Sequence, residues 1–146
     1  MNFKAILRNT LAVIVGLIIG SIVNMGIVIF GGKLIPPPEG VDVTSMETLA
    51  KHIHLFEPIH FVAPFLAHAL GTLFGAIAAA WLAVSHPGKM AFIVGVFFLL
   101  GGISNVILLP SPLWFNILDV IVAYLPMSYL AYLIFSNKIS SEAKTA

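Results

Sequence analysis

The chain has 146 residues, of which 60% are hydrophobic and 9% charged, with a formal net charge of +1 and no cysteine. A soluble domain carries about 25% charged residues. A chain of this length cannot hide so much apolar surface in its own core, so the surrounding solvent is expected to be lipid. The balanced charge argues against nucleic acid as a partner, since that requires a basic patch. The lack of cysteine removes disulfides, thiol catalysis and thiolate metal sites.

The first apolar run, "LAVIVGLIIGSIVNMGIVIF", places a span at about 8–30. Lys4 and Arg8 precede it as in a signal peptide. The run is too long for one, however, and "GGKLIPPPEG" after it offers no small-residue cleavage site, so a retained helix is expected. The outer loop, 31–60, opens with "GGKLIPPPEGVD", which is expected to be non-helical because its three prolines favour a stiff, extended segment. "TSME" then forms a capping-box pattern, Thr44 with Glu47. It predicts a short helix over about 45–55, with Met46, Leu49, Ala50 and Ile53 on one face. That amphipathic helix is expected to lie on the outer leaflet or against the bundle, and Pro58 ends it. Further spans are predicted at about 61–84, 90–109 and 113–135. Each run is about 20 residues or more, enough for a helix to cross roughly 30 Å of hydrocarbon. Barrel strands are half as long and strictly alternating. Pro126 frees the Val122 carbonyl and predicts a kink in the last span. The expected fold is all-α: an integral membrane four-helix bundle, a single transmembrane domain over 1–146, with a short amphipathic helix in its outer loop.

Orientation follows from lysine and arginine. With both termini on one side, that side holds Lys4, Arg8, Lys89, Lys138 and Lys144, and the other holds Lys33 and Lys51. Five against two predicts N- and C-termini in the cytoplasm and the 31–60 loop outside. Trp81, Trp114, Tyr129 and Tyr132 fall near predicted span ends, as interfacial aromatics do.

Polar residues at membrane depth are costly and point to function. Here they are Asn24, His68, Asn105, Asn116 and Asp119. From the predicted span ends, all lie roughly 5–10 Å below the outer hydrocarbon boundary at 1.5 Å per residue. Gly16 and Gly20 on the first span, and Ala67, Gly71 and Gly75 on the second, recur every fourth position, the spacing that lets helix backbones touch. An inward polar pocket is therefore expected, open toward the outer side, with His68 and Asp119 as its titratable pair. Such a pair either holds a ligand or a proton near neutral pH or locks helix register as polar glue.

The remaining histidines read as solvated side chains. His52 and His54 point about 160° apart on a helix. His60 and His68 are separated by about 12 Å of helical rise, too far to ligate one metal. Glu57 and His60 match the Glu-x-x-His spacing of di-iron bundles, interrupted by Pro58, and remain the candidate metal pair. There is no glycine-rich phosphate loop, no His-Glu-x-x-His and no nucleophile elbow. No catalytic residue and no cofactor are therefore expected.

The segments "GGKLIPPPEGVDV", "HLFEPIHF" and "AHALGTLFGA" resemble a group of small four-helix inner-membrane proteins of bacteria. The resemblance implies the fold and the bacterial inner membrane and supplies no activity. Small four-helix drug-efflux transporters carry a membrane-embedded glutamate in their first helix, where this chain has only Asn24. The expected role is that of a non-enzymatic small bundle that contacts the lipid bilayer and forms a homo-oligomer or accompanies a larger membrane complex. The alternatives are a small transporter or proton-coupled carrier using His68 and Asp119, and a membrane metalloprotein using the outer-loop histidines.

Overall fold

The computed structural model describes the backbone of residues 3–145 and the side chains of residues 3–136. The side chains of Lys138 and Lys144, used in the charge count, lie outside the described residues. Among those described the chain is all helical, with no strand. Six α-helices run in order: α1 (Phe3–Leu34), α2 (Met46–His52), α3 (Val62–Leu82), α4 (Pro87–Leu108), α5 (Leu113–Val122) and α6 (Leu125–Thr145). Two 3-10 turns, Ile53–Leu55 and Pro58–Phe61, join α2 to α3. Four stretches are long and apolar enough to cross a membrane: Phe3–Leu34, Pro58–Leu82, Pro87–Leu108 and Leu113–Ser136.

α1 begins earlier and ends later than its apolar run suggests. The residues from Phe3 to Leu34 extend the same hydrogen-bond ladder past Arg8 and through Gly31–Gly32 until the prolines stop it. The loop helix is shorter than predicted and starts one residue later. Ser45 rather than Thr44 caps it, its Oγ accepting from the Thr48 N–H at 3.3 Å. Thr44 is drawn away by Asp42, whose carboxylate accepts its hydroxyl at 2.6 Å and its N–H at 2.8 Å. These bonds, the hydroxyl's first, hold the exposed Asp42 carboxyl below its ordinary value.

α1 and α3 make the most extensive contact, and α3 also packs on α4 and α6. Glycine permits the α1–α3 approach. A Cβ on Gly16 would lie 2.6 Å from the Gly75 carbonyl oxygen, and one on Gly20 would lie 2.6 Å from that of Gly71. Ala76, Ala79, Ala80, Ala91, Val94 and Ala131 are fully buried and form one core cluster between α3, α4 and α6. At the end carrying the 83–86 turn, Asn9 is 3% exposed. Its amide donates to the Ser85 carbonyl at 3.1 Å and hydroxyl at 2.9 Å, and its Oδ1 accepts from the Val84 N–H at 3.0 Å.

The last span is broken. Pro126 has no N–H to give the Val122 carbonyl, and α5 ends at Val122 while α6 starts at Leu125. Ala123 and Tyr124 form the two-residue joint.

Candidate functional site

Three helices and the loop line a partly open cavity of about 160 Å³. α3 descends into it from Phe61 and Pro64 to His68. α5 descends from Phe115 and Asn116 to Asp119, and α4 rises past Gly102 and Asn105 to Leu109. His68, Gly102 and Asp119 are therefore the deepest lining residues, and Leu49, Ile53 and Phe56 of the loop lie over them. Ile53, Phe61 and Phe115 form one buried cluster, supported by Leu49, Phe56 and Phe65. That cluster anchors the roof to α3 and α5. The Phe61 ring lies 4.8 Å from that of Phe115 and edge-on to Trp114 at 5.7 Å.

At the deep end, the Nδ1 of His68 lies 2.9 Å from both carboxylate oxygens of Asp119. Asp119 is 2% exposed. The Tyr124 hydroxyl donates to Asp119 Oδ2 at 2.7 Å and stands 3.1 Å from His68 Nδ1. Two donors thus converge on one carboxylate, the pattern that satisfies a charge held away from water. A neutral imidazole that donates from Nδ1 carries its lone pair on Nε2. The backbone behind the ring is tied as well, since the Thr72 hydroxyl donates to the His68 carbonyl at 2.7 Å.

Tyr124 reaches Asp119 across the break between α5 and α6. On a continuous helix, residues five apart point about 140° away from each other. Tyr124 lies in the break between α5 and α6, and α6 restarts by bonding the Ser128 N–H to the Tyr124 carbonyl at 3.0 Å. Gly102 makes room on α4: a Cβ there would meet the Tyr124 ring 2.7 Å from Cε2. Sequence reasoning missed Tyr124 because an aromatic inside a span reads as packing. The signals were Pro126 two residues later and Gly102 on the facing helix.

Asn105 and Asn116 also line the cavity, one helical turn nearer the loop. Asn116 donates from Nδ2 to the Ser111 carbonyl at 3.2 Å. Asn24 does not join them. It sits on α1, which contributes no lining residue, and its Cβ lies 3.0 Å from where a Cβ on Gly71 would be. Ala67 is fully buried one turn before Gly71.

Of the loop histidines, His60 lines the same cavity as His68, whereas His52 and His54 do not. His52 donates from Nδ1 to the Thr48 carbonyl at 2.8 Å, and His54 is exposed. The Glu57 N–H donates to His60 Nδ1 at 3.0 Å, which closes the turn before α3 and occupies one of the two ring nitrogens that could ligate. Among the described residues no three His, Cys, Asp or Glu side chains converge as a metal site would need.

Fold and site together define a class: an all-helical protein with four helices long and apolar enough to cross a membrane, and a His–Asp–Tyr network at the base of an apolar cavity. No family model, curated protein or solved structure matches the chain.

Proposed function

We propose that this chain is a multi-pass four-helix bundle of the bacterial inner membrane, non-enzymatic, with both termini in the cytoplasm. In this reading the cavity lies in the outer leaflet and holds a small molecule against His68. One observation carries it. The Asp119 carboxylate and Tyr124 hydroxyl engage only the Nδ1 side of the ring, and His68 lines a cavity. Polar glue needs no space beside it, whereas a receptor does. The lysine and arginine bias supports the orientation. The exposed apolar residues along α1, among them Ile14, Ile18 and Ile22, support contact with lipid or with a partner helix in an oligomer or larger complex.

A second reading, a proton-coupled carrier, draws on the helix break at Ala123–Tyr124, since discontinuous spans mark many transporter sites. It requires the alanine-filled contact below the network to open. Two measurements decide. Diethyl pyrocarbonate applied to the protein in nanodiscs, with mass-spectrometric mapping, should modify His68 more slowly than the exposed His54. A His68 that reacts only after denaturation would leave the network as packing and end the receptor reading. Proton flux into dye-loaded proteoliposomes, if lost in Asp119→Asn, would favour the carrier instead.

A further inference from the structure

The cavity beside His68 adjoins two others, and polarity falls from the first to the third. The first, of about 160 Å³, holds nearly all the polar lining: His68 and Asp119 at its deep end, and Asn105, Ser111 and Asn116 nearer the loop. A second, of about 180 Å³, lies toward α1 against Val28, Gly32, Ile35, Pro37 and Val43. It shares Leu49, Phe56, His60 and Pro64 with the first, so the two meet beneath the loop, over the first turn of α3. His60 is the one polar side chain lining the second. A third, of about 410 Å³, shares Gly31, Ile35 and Ala63 with the second and has no polar side chain in its lining. It is a groove between α1 and α3, bordered by the exposed Phe30, Leu34, Val62 and Leu66. Glycines on α1 leave room along this path. Gly32 in the second cavity and Gly26 in the third have nothing within 4 Å of where a Cβ would stand.

The deep end accepts one donor. No described residue offers a hydrogen bond to His68 Nε2, and among the described residues no buried side-chain polar atom lacks a partner, so this atom faces open space. With the ring proton on Nδ1, it accepts a single bond. His60 differs: its Nδ1 accepts the Glu57 N–H, so its neutral ring carries the proton on Nε2 and cannot accept there. Charge narrows the guest further. No lysine or arginine lines any of the three cavities, and Asp119 is their one carboxyl. An anionic head would meet that buried carboxylate with no cation to offset it. An ammonium head would bring three donors to the one imidazole acceptor.

We propose that the three cavities together hold a single-chain lipid with an uncharged hydroxyl head, of the long-chain alcohol class. The hydroxyl donates to His68 Nε2, and the chain passes beneath the loop to the groove between α1 and α3. The proposal rests on the receptor reading of His68. An alkyl chain gains little by leaving other acyl chains for an apolar groove, since lipid tails are as apolar as leucine. Selectivity therefore lies in the hydroxyl and amounts to about tenfold, the size of one good hydrogen bond.

The test uses the full chain in nanodiscs with 1-hexadecanol carrying a mid-chain diazirine, photolysed and mapped by mass spectrometry. Labels are expected within 26–35 and 62–66, and excess 1-hexadecanol should displace them. Hexadecane, hexadecylamine and hexadecyl sulfate should each compete less well by about tenfold or more. Bound 1-hexadecanol should also slow the modification of His68 by diethyl pyrocarbonate. Asp119→Asn should weaken competition by 1-hexadecanol about tenfold. Because that change strikes a buried carboxylate, Gly32→Leu provides a second variant. It fills the second cavity from α1 without a clash at its Cβ, leaves the polar network in place, and should abolish both the displaceable labelling and the protection of His68. Equal competition by hexadecane, the amine or the sulfate overturns the proposal. So do labels that excess alcohol does not displace, labels spread along Ile14, Ile18 and Ile22, or a Gly32→Leu variant that behaves as the parent. If the proposal fails while unliganded His68 still reacts with diethyl pyrocarbonate, the receptor reading survives; if His68 reacts only after denaturation, both fall.

Discussion

Tyr124→Phe isolates the third member of the network. The ring is 1% exposed, so Phe keeps its packing and removes only the hydroxyl. What is lost is a 2.7 Å bond to Asp119 Oδ2, leaving His68 as the carboxylate's remaining donor. A hydrogen bond to a charged group contributes about 1.5–3 kcal/mol in soluble proteins. Within membrane helices the average falls to about 0.6 kcal/mol, with a maximum near 1.7, because the unfolded chain finds other partners. The low exposure of both groups places this bond in the upper part of the membrane range, at about 1–1.5 kcal/mol. The assay is reversible unfolding in mixed micelles followed by circular dichroism, run as a double-mutant cycle with Asp119→Asn. The two changes should couple by about 1 kcal/mol, since each removes one end of the same bond. Additivity to within about 0.3 kcal/mol would refute the reasoning, because independent sites add to that precision.

Two glycines of α1 provide a matched pair. Gly16→Ala puts a Cβ 2.6 Å from the Gly75 carbonyl and should cost about 1–3 kcal/mol as overpacking. Gly26 has nothing within 4 Å, so Gly26→Ala should instead gain up to about 1 kcal/mol of helix propensity; the same unfolding assay reads both. Asn9→Ala removes three hydrogen bonds at the 83–86 turn and should cost about 1–3 kcal/mol, with faster proteolysis at that turn as the local readout. The chain has no cysteine, so Glu39→Cys supplies a unique label. An impermeant maleimide should reach it from outside intact cells but not when added to the outside of inverted vesicles.

Much of the fold could be read from the sequence because long apolar runs and prolines obey simple rules. Apolar runs had to be helices, the triple proline had to end α1, and Pro126 had to interrupt the last span. Boundaries were harder, since helical hydrogen bonding continues past the last apolar residue wherever nothing stops it, as at Phe3–Arg8. The loop cap shifted from Thr44 to Ser45 because Asp42 competes for the threonine, a local contest that the capping-box spacing does not encode. For the site, counting polar residues along each apolar run drew attention to His68, Asp119, Asn105 and Asn116, which line one cavity. Counting does not give azimuth. Asn24 sits on α1, which contributes no lining residue, and Tyr124 lies at the break between α5 and α6, where helical spacing no longer predicts direction. Asn9 was overlooked because an asparagine near a terminus reads as solvated, and its partners lie 75 and 76 positions away.

The proposed site depends on one imidazole held from one side. Nitrogen-15 NMR of histidine-labelled protein in nanodiscs, with His68→Gln to assign the resonance, tests this directly. The neutral ring of His68 should carry its proton on Nδ1, with Nε2 in the range of an acceptor, and Asp119→Asn should turn that single tautomer into a mixture. A His68 ring protonated on Nε2 when neutral, or one whose tautomer ignores the Asp119 change, would contradict the account.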